Sequence, residues 1–198
     1  MKKLISILII FCITACAINN NIEIKREYIN KLPSLELVFE DENNVVTWTK
    51  GQKIFRESSD IATIFYDEME TNVIDGSDII NGYIKLKLIK INSSENDLWM
   101  ILHAWTAFIT ALLGLPAETI KVCVKIQVDI FDKNNNLIKS YNETIEDRVN
   151  NNIYNIASAN TKGQYREKEA EKVIFQKAVK QIIEKIHKDK KMIINKLK

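Results

Sequence analysis

Histidine and cysteine are nearly missing from this chain, which holds two of one and three of the other in 198 residues. His103 and His187 are 84 positions apart, so a scheme that needs paired imidazoles starts from almost nothing. No Gly-x-Ser-x-Gly, His-Glu-x-x-His, Cys-x-x-Cys or phosphate-loop motif occurs, which removes the nucleophile elbow, the zinc-protease helix, the dithiol redox pair and the nucleotide cradle. A carboxylate-only hydrolase or transferase survives that exclusion, because the acids are many and scattered. Two prolines and five glycines leave no low-complexity linker. Charge of one sign is lacking too: 28 basic side chains stand against 26 acidic ones, a balance that argues against nucleic acid or an anionic surface as the main partner.

What is present begins at the amino terminus. Lys2 and Lys3 precede a ten-residue run, Leu4 to Ile13, apolar except for Ser6 and too short to span a hydrocarbon core that needs about 20. A cleavable export signal is the reading that length supports. Ile13, Thr14, Ala15 and Cys16 close the run, and this quartet resembles the lipobox of bacterial lipoproteins. The resemblance implies that the Cys16 thiol receives a diacylglyceryl group, that the chain is cut before it, and that Cys16 becomes residue one of a mature, acylated protein. An ordinary signal with an incidental cysteine is the plainer alternative. Two or three acyl chains hold firmly where one is marginal, so the anchor needs no help from the protein. Ala17, where the enteric sorting pattern has Asp for inner-membrane retention, implies the outer membrane by the same resemblance.

Removal of residues 1–15 takes Lys2 and Lys3 and no acid, leaving 26 charges of each sign on 183 residues, one domain with a real core. Cys12 departs with the signal and Cys16 is acylated, so Cys123 is the one remaining thiol, without a disulfide partner or a metal-site companion. We expect a signal peptide over 1–15, a polar lipidated tether over 16–32, and a single α+β domain over 33–198. No cofactor and no metal are expected.

Within the domain, Leu35, Leu37 and Phe39 alternate with polar neighbours as a short strand, and Val45 to Thr49 follows across a turn. Ile54, Ile61, Phe65 and Met69 recur at helical spacing between Gln52 and Asn72; the acids on other faces, among them Glu57, Asp60, Asp67, Glu68 and Glu70, read as a solvated surface. Tyr83 to Ile91 predicts a strand, then a loop of Asn, Ser, Glu and Asp. Ile120 to Ile130 alternates strictly, apolar on even positions, and places Cys123 on the wetter face as a structural thiol without an activating base. Asp132 to Asn136 turns the chain into a hairpin partner over Leu137 to Ile145, Arg148 to Gly163 reads as a loop, and Tyr165 to about Lys188 as a second amphipathic helix with a basic end. That basic end suits either the helix dipole or a weak headgroup contact. The expected architecture is a two-layer sandwich, a small mainly antiparallel sheet with both helices on one face. Its order resembles that of several small envelope lipoproteins.

One segment stands apart. Leu98 to Ala117 is twenty residues without a formal charge, long enough to cross a bilayer. Three readings are open: a helix in or capping the core, a helix or hairpin at the membrane surface, and a true crossing. Trp99, Leu102, Trp105, Ile109, Leu112 and Leu113 are the residues we assign to membrane or partner contact, and His103 reads as a packed side chain. The function these features support is a lipid-anchored, non-catalytic envelope lipoprotein that binds or assembles with a membrane or periplasmic partner. The carboxylate-only enzyme and a surface antigen or spacer are the alternatives.

Overall fold

The computed structural model describes residues 31–41, 45–48, 60–75, 79–96, 101, 104–106, 109, 116–152 and 163–197. The signal, Cys16 and most of the tether lie outside the described residues. The elements run β1 (Glu36–Glu40), β2 (Val45–Trp48), α1 (Asp60–Asn72), β3 (Gly82–Asn96), β4 (Pro116–Asp132), β5 (Leu137–Asn152) and α2 (Gly163–Leu197). The fold is α+β. One five-stranded sheet has the order β2-β1-β3-β4-β5, antiparallel at every step except the parallel pairing of β1 with β3.

β4 is the spine of that sheet. Its even residues, Ile120 to Ile130, are fully buried, and their β-branched side chains suit a pleated, half-covered surface. Both helices cover this face. α2 runs about 52 Å, close to the length of β4, and buries Ala170, Ile174, Phe175, Ala178, Val179, Ile182, Ile183 and Ile186. α1 buries Ala62, Phe65, Tyr66 and Met69, with the Phe65 ring 6.4 Å from Phe39 of β1. Burial also pushes the Tyr66 hydroxyl up to about 12. Tyr83 and Phe131 stack at 4.6 Å on the opposite, open face.

The turns follow residue chemistry. Asp132 Oδ1 accepts from the backbone N–H of Asn134 at 2.8 Å and of Asn136 at 2.9 Å, while Asn135 takes φ 63°, a left-handed geometry asparagine tolerates. Gly82 has φ +153°, and a Cβ there would sit 2.1 Å from the Phe131 carbonyl oxygen, so only glycine lets β3 meet β4 at that end.

Five boundaries differ from the sequence reading. β3 does not stop at Ile91 but continues to Asn96, because a bulge at Ile89 shifts its register: Leu88 faces Ile126, then Ile91 faces Val124 and Ser93 faces Val122. The core face thus passes from even to odd positions. β5 extends through Arg148 to Asn152, which makes the expected loop shorter. α2 runs to Leu197, because Ile193 and Leu197 are buried and prolong the apolar stripe past the lysines. Pro116 and Ala117, assigned to the apolar helical insertion at 98–117, instead open β4. Leu32, the last residue of the expected tether, is buried and bridges Ile74, with its N–H donating to Val73.

Candidate interaction surface

The outer edge of the sheet is fastened to α2 by polar groups. Residues 139, 141, 143, 145, 147 and 149 of β5 share the face that α2 covers, and several carry charge. Lys177 bonds Asp147, Lys185 bonds Glu143, and Asp189 accepts from the Tyr141 hydroxyl at 3.0 Å and pairs with Lys139 at 3.3 Å. The Lys177 ammonium, then the Arg148 backbone N–H, hold the Asp147 carboxyl below the usual carboxylate range. The Tyr141 hydroxyl, then Lys139, do the same for Asp189, while burial first and Asp189 second push the Tyr141 hydroxyl up. Between the helices, Asp60 pairs with Lys172 at 2.8 Å, and Glu68 accepts from Gln176 at 2.6 Å. These acids do structural work, tying α2 to β5 and to α1. Among the described residues no three His, Cys, Asp or Glu side chains gather as a metal-holding group. His187 is half-buried on α2, its imidazole pushed down by burial and then by Lys190.

The opposite face of the sheet carries a different pattern. Its half near Gly82 is compensated: Lys85 bonds Glu40, Lys87 stands 3.8 Å from the same carboxylate, and Asp129 accepts from Gln127 at 2.9 Å. The distal half carries Lys90, Lys121, Lys125 and Arg148, with Cys123 between the two β4 lysines and half-exposed. Cys123 therefore does have basic neighbours on its face, contrary to the sequence reading. Alternation along β4 already puts Lys121 and Lys125 on the face of Cys123, while only the ladder register adds Lys90 and Arg148 beside them.

At the distal end lies the segment between β3 and β4. Asn96 stands directly opposite Thr119, and Ser94 opposite Lys121. The chain between them leaves and returns at one end of a continuous ladder, so a single crossing, which would part its ends by about 30 Å, is overturned. Among the described residues no helix is long and apolar enough to cross a membrane. Ile101, Ala104, Trp105 and Ile109 are helical, and Thr106 stands in a turn whose carbonyl accepts from the Ile109 N–H at 3.1 Å. Trp105 is 86% exposed, Ile109 60% and Ile101 57%. Of the six assigned contact residues, Trp105 and Ile109 thus face solvent, while Trp99, Leu102, Leu112 and Leu113 lie outside the described residues, as does Cys16.

No protein-family model matches the chain, and no curated protein does. The solved structures similar to it include two lipoproteins. A minor lipoprotein from Acinetobacter baumannii is 14% identical with a TM-score of 0.41, covering 82% of this chain and 93% of that one. Rare lipoprotein B from Shewanella oneidensis is 10% identical with a TM-score of 0.38, covering 78% of this chain and 95% of that one. At these scores the likeness carries no inference about function.

Proposed function

We propose that this chain is an exported lipoprotein, held in the cell envelope by acyl chains on Cys16, and that it acts without catalysis as a binding or assembly module. Its working part is the apolar segment 98–115, between β3 and β4, which contacts a membrane or periplasmic partner. The lipobox at Ile13 to Cys16 supports the anchor, and Ala17 supports the outer membrane over the inner.

The observation that carries the reading is the exposure of Trp105. A folded domain seldom leaves a tryptophan open to water beside two exposed isoleucines within nine residues, and apolar groups so grouped mark contact surfaces. They belong to the connection that follows the Asn96–Thr119 end of the β3–β4 ladder, and their exposure leaves them open to a partner.

The test is to replace residues 98–115 by a two-residue Asn-Gly turn and to capture partners from solubilised envelopes with the intact and the shortened protein. Asn-Gly suits a tight link between antiparallel strands, and the ladder from Asn96 to Gly82 does not depend on the removed residues. The proposal expects the shortened protein to keep its circular dichroism and melting cooperativity and to lose its partner. A folded, shortened protein that captures the same partner in the same yield would overturn it.

A further inference from the structure

The open face of the distal sheet carries an arrangement that strand pairing by itself disfavours. Register sets Lys90 of β3 directly opposite Lys125 of β4, and Lys121 of β4 directly opposite Arg148 of β5. Side chains so opposed stand about 4.5–5.5 Å apart at Cβ, and like charges at that distance destabilise a sheet. Among the described residues none of the four side chains has an ion-pair or hydrogen-bond partner. Glu146, opposite Cys123 and diagonal to both β4 lysines, is the one acid described on this half of the face. Lys90, Lys125 and Arg148 are exposed, Lys121 is half-buried, and both helices lie on the other side.

We infer that this face docks on anionic phosphate headgroups of a bilayer, the four cations forming a flat electrostatic footing beside the apolar segment. The inference rests on the acylated-anchor reading, which keeps the domain within reach of a membrane. Charge complementarity selects the occupant, and the geometry selects its form. Lys121 and Lys125 are four residues apart on one strand, about 14 Å, so the cations spread over an open pleated surface and do not converge on a pocket that would enclose one small anion. A planar, repeating array of anions fits such a spread. The chain's even overall charge balance argues against any polyanion as the main attachment, so the acyl anchor holds the domain at the membrane and these four cations add a local contact. The segment with exposed Trp105 departs two residues beyond Lys121, so an aromatic suited to the membrane interface stands at the same end of the sheet.

The experiment uses the full-length acylated protein, reconstituted either in phosphatidylcholine vesicles or in vesicles with about one-third phosphatidylglycerol. An amine-reactive reagent is applied and each lysine is read by mass spectrometry, with exposed Lys133 in the far turn as reference. Modification of Lys90, Lys121 and Lys125 is expected to be at least about five-fold slower on the anionic vesicles, consistent with a contribution of that size per surface cation. Lys133 is expected to react equally on both, and 0.5 M salt to erase the difference. Arg148→Gln, at an exposed position, is expected to cost Lys121 about five-fold of its protection. Equal reactivity on the two vesicle types overturns the inference while leaving the anchor standing, provided the acyl group is found on Cys16 in the same digest. Equal protection by inorganic phosphate in detergent micelles overturns it in favour of a free anion. A chain without the acyl group overturns both the inference and the reading beneath it.

Discussion

The Tyr141 hydroxyl donates to Asp189 Oδ2 at 3.0 Å, joining the edge strand β5 to the long helix α2. Lys139 meets the same carboxylate at 3.3 Å and lies 5.8 Å from the Tyr141 ring. With Lys177–Asp147 and Lys185–Glu143 this makes three fastenings along one edge. The Tyr141 side chain is buried. Tyr141→Phe keeps the ring and removes the bond, and is expected to lower the melting temperature by about 2–4 °C without loss of cooperativity. Differential scanning calorimetry checks this, and an unchanged melting temperature would show that the fastening contributes nothing.

The same fastenings predict acid lability. The Asp147 and Asp189 carboxyls titrate lower in the folded chain than in the unfolded one, where the usual value is about 3.9. Near that pH the unfolded chain therefore binds more protons. The stability these groups add is complete above the unfolded value and is lost as pH falls through their depressed folded values. Urea midpoints measured from pH 6 to pH 2.5 should fall most steeply below about pH 4, and more gently in Lys177→Met. An identical acid profile in that variant would contradict the assignment.

Gly82→Ala is expected to cost about 3 kcal/mol or more, since it combines positive φ with a Cβ placed 2.1 Å from a backbone oxygen of β4. Gly→Ala changes usually matter far less where the backbone geometry suits alanine. Urea denaturation settles the size, and a cost below about 1 kcal/mol would mean that β3 can shift away from Phe131.

Deleting Ile89 tests the bulge. Without the extra residue Lys90 follows Leu88 in plain alternation, so Lys90 and Asn92 keep the open face and Ile91 and Ser93 keep the face under α2. The bond from the Ser93 hydroxyl to Glu171 at 2.9 Å is expected to remain. A stability change of no more than about 1 kcal/mol is expected, with hydrogen-exchange protection retained in Ile91 to Asn96. Loss of protection there would show that the distal register depends on the bulge itself.

How much of this was legible in the sequence depended on how far each element keeps a single period. β4 reads cleanly because Ile120 to Ile130 holds one parity throughout, one face buried and one wet. β3 reads only to Ile91, because the bulge changes parity in mid-strand and the residues beyond it, Asn92 to Asn96, are of types depleted in strands. The end of α2 is hidden differently: Ile186, Ile193 and Leu197 keep the helical stripe, but the lysines between them dominate the local composition. The cationic face could be read only in part: alternation puts Lys121 and Lys125 on the wet face of β4, but not what stands beside them. Lys90 and Lys125 are far apart in the chain, and only the shifted register after Ile89 brings them opposite each other. The assigned contact residues Trp105 and Ile109 were legible as apolar residues, while their exposure is a matter of tertiary placement.

The triple substitution Ile101→Ser, Trp105→Ser, Ile109→Ser should change stability by no more than about 0.5 kcal/mol, because all three side chains are already in water. Partner capture should nevertheless fall at least ten-fold. A large loss of stability would instead place these side chains in the core.

The central claim, a lipid-anchored envelope module, rests on Cys16. Mass spectrometry of the amino-terminal peptide of the protein extracted from its own cell tests it most directly. The predicted result is a chain that begins at Cys16 and carries a diacylglyceryl thioether with an acylated amine. A chain that begins elsewhere, or a Cys16 with a free thiol, would contradict it.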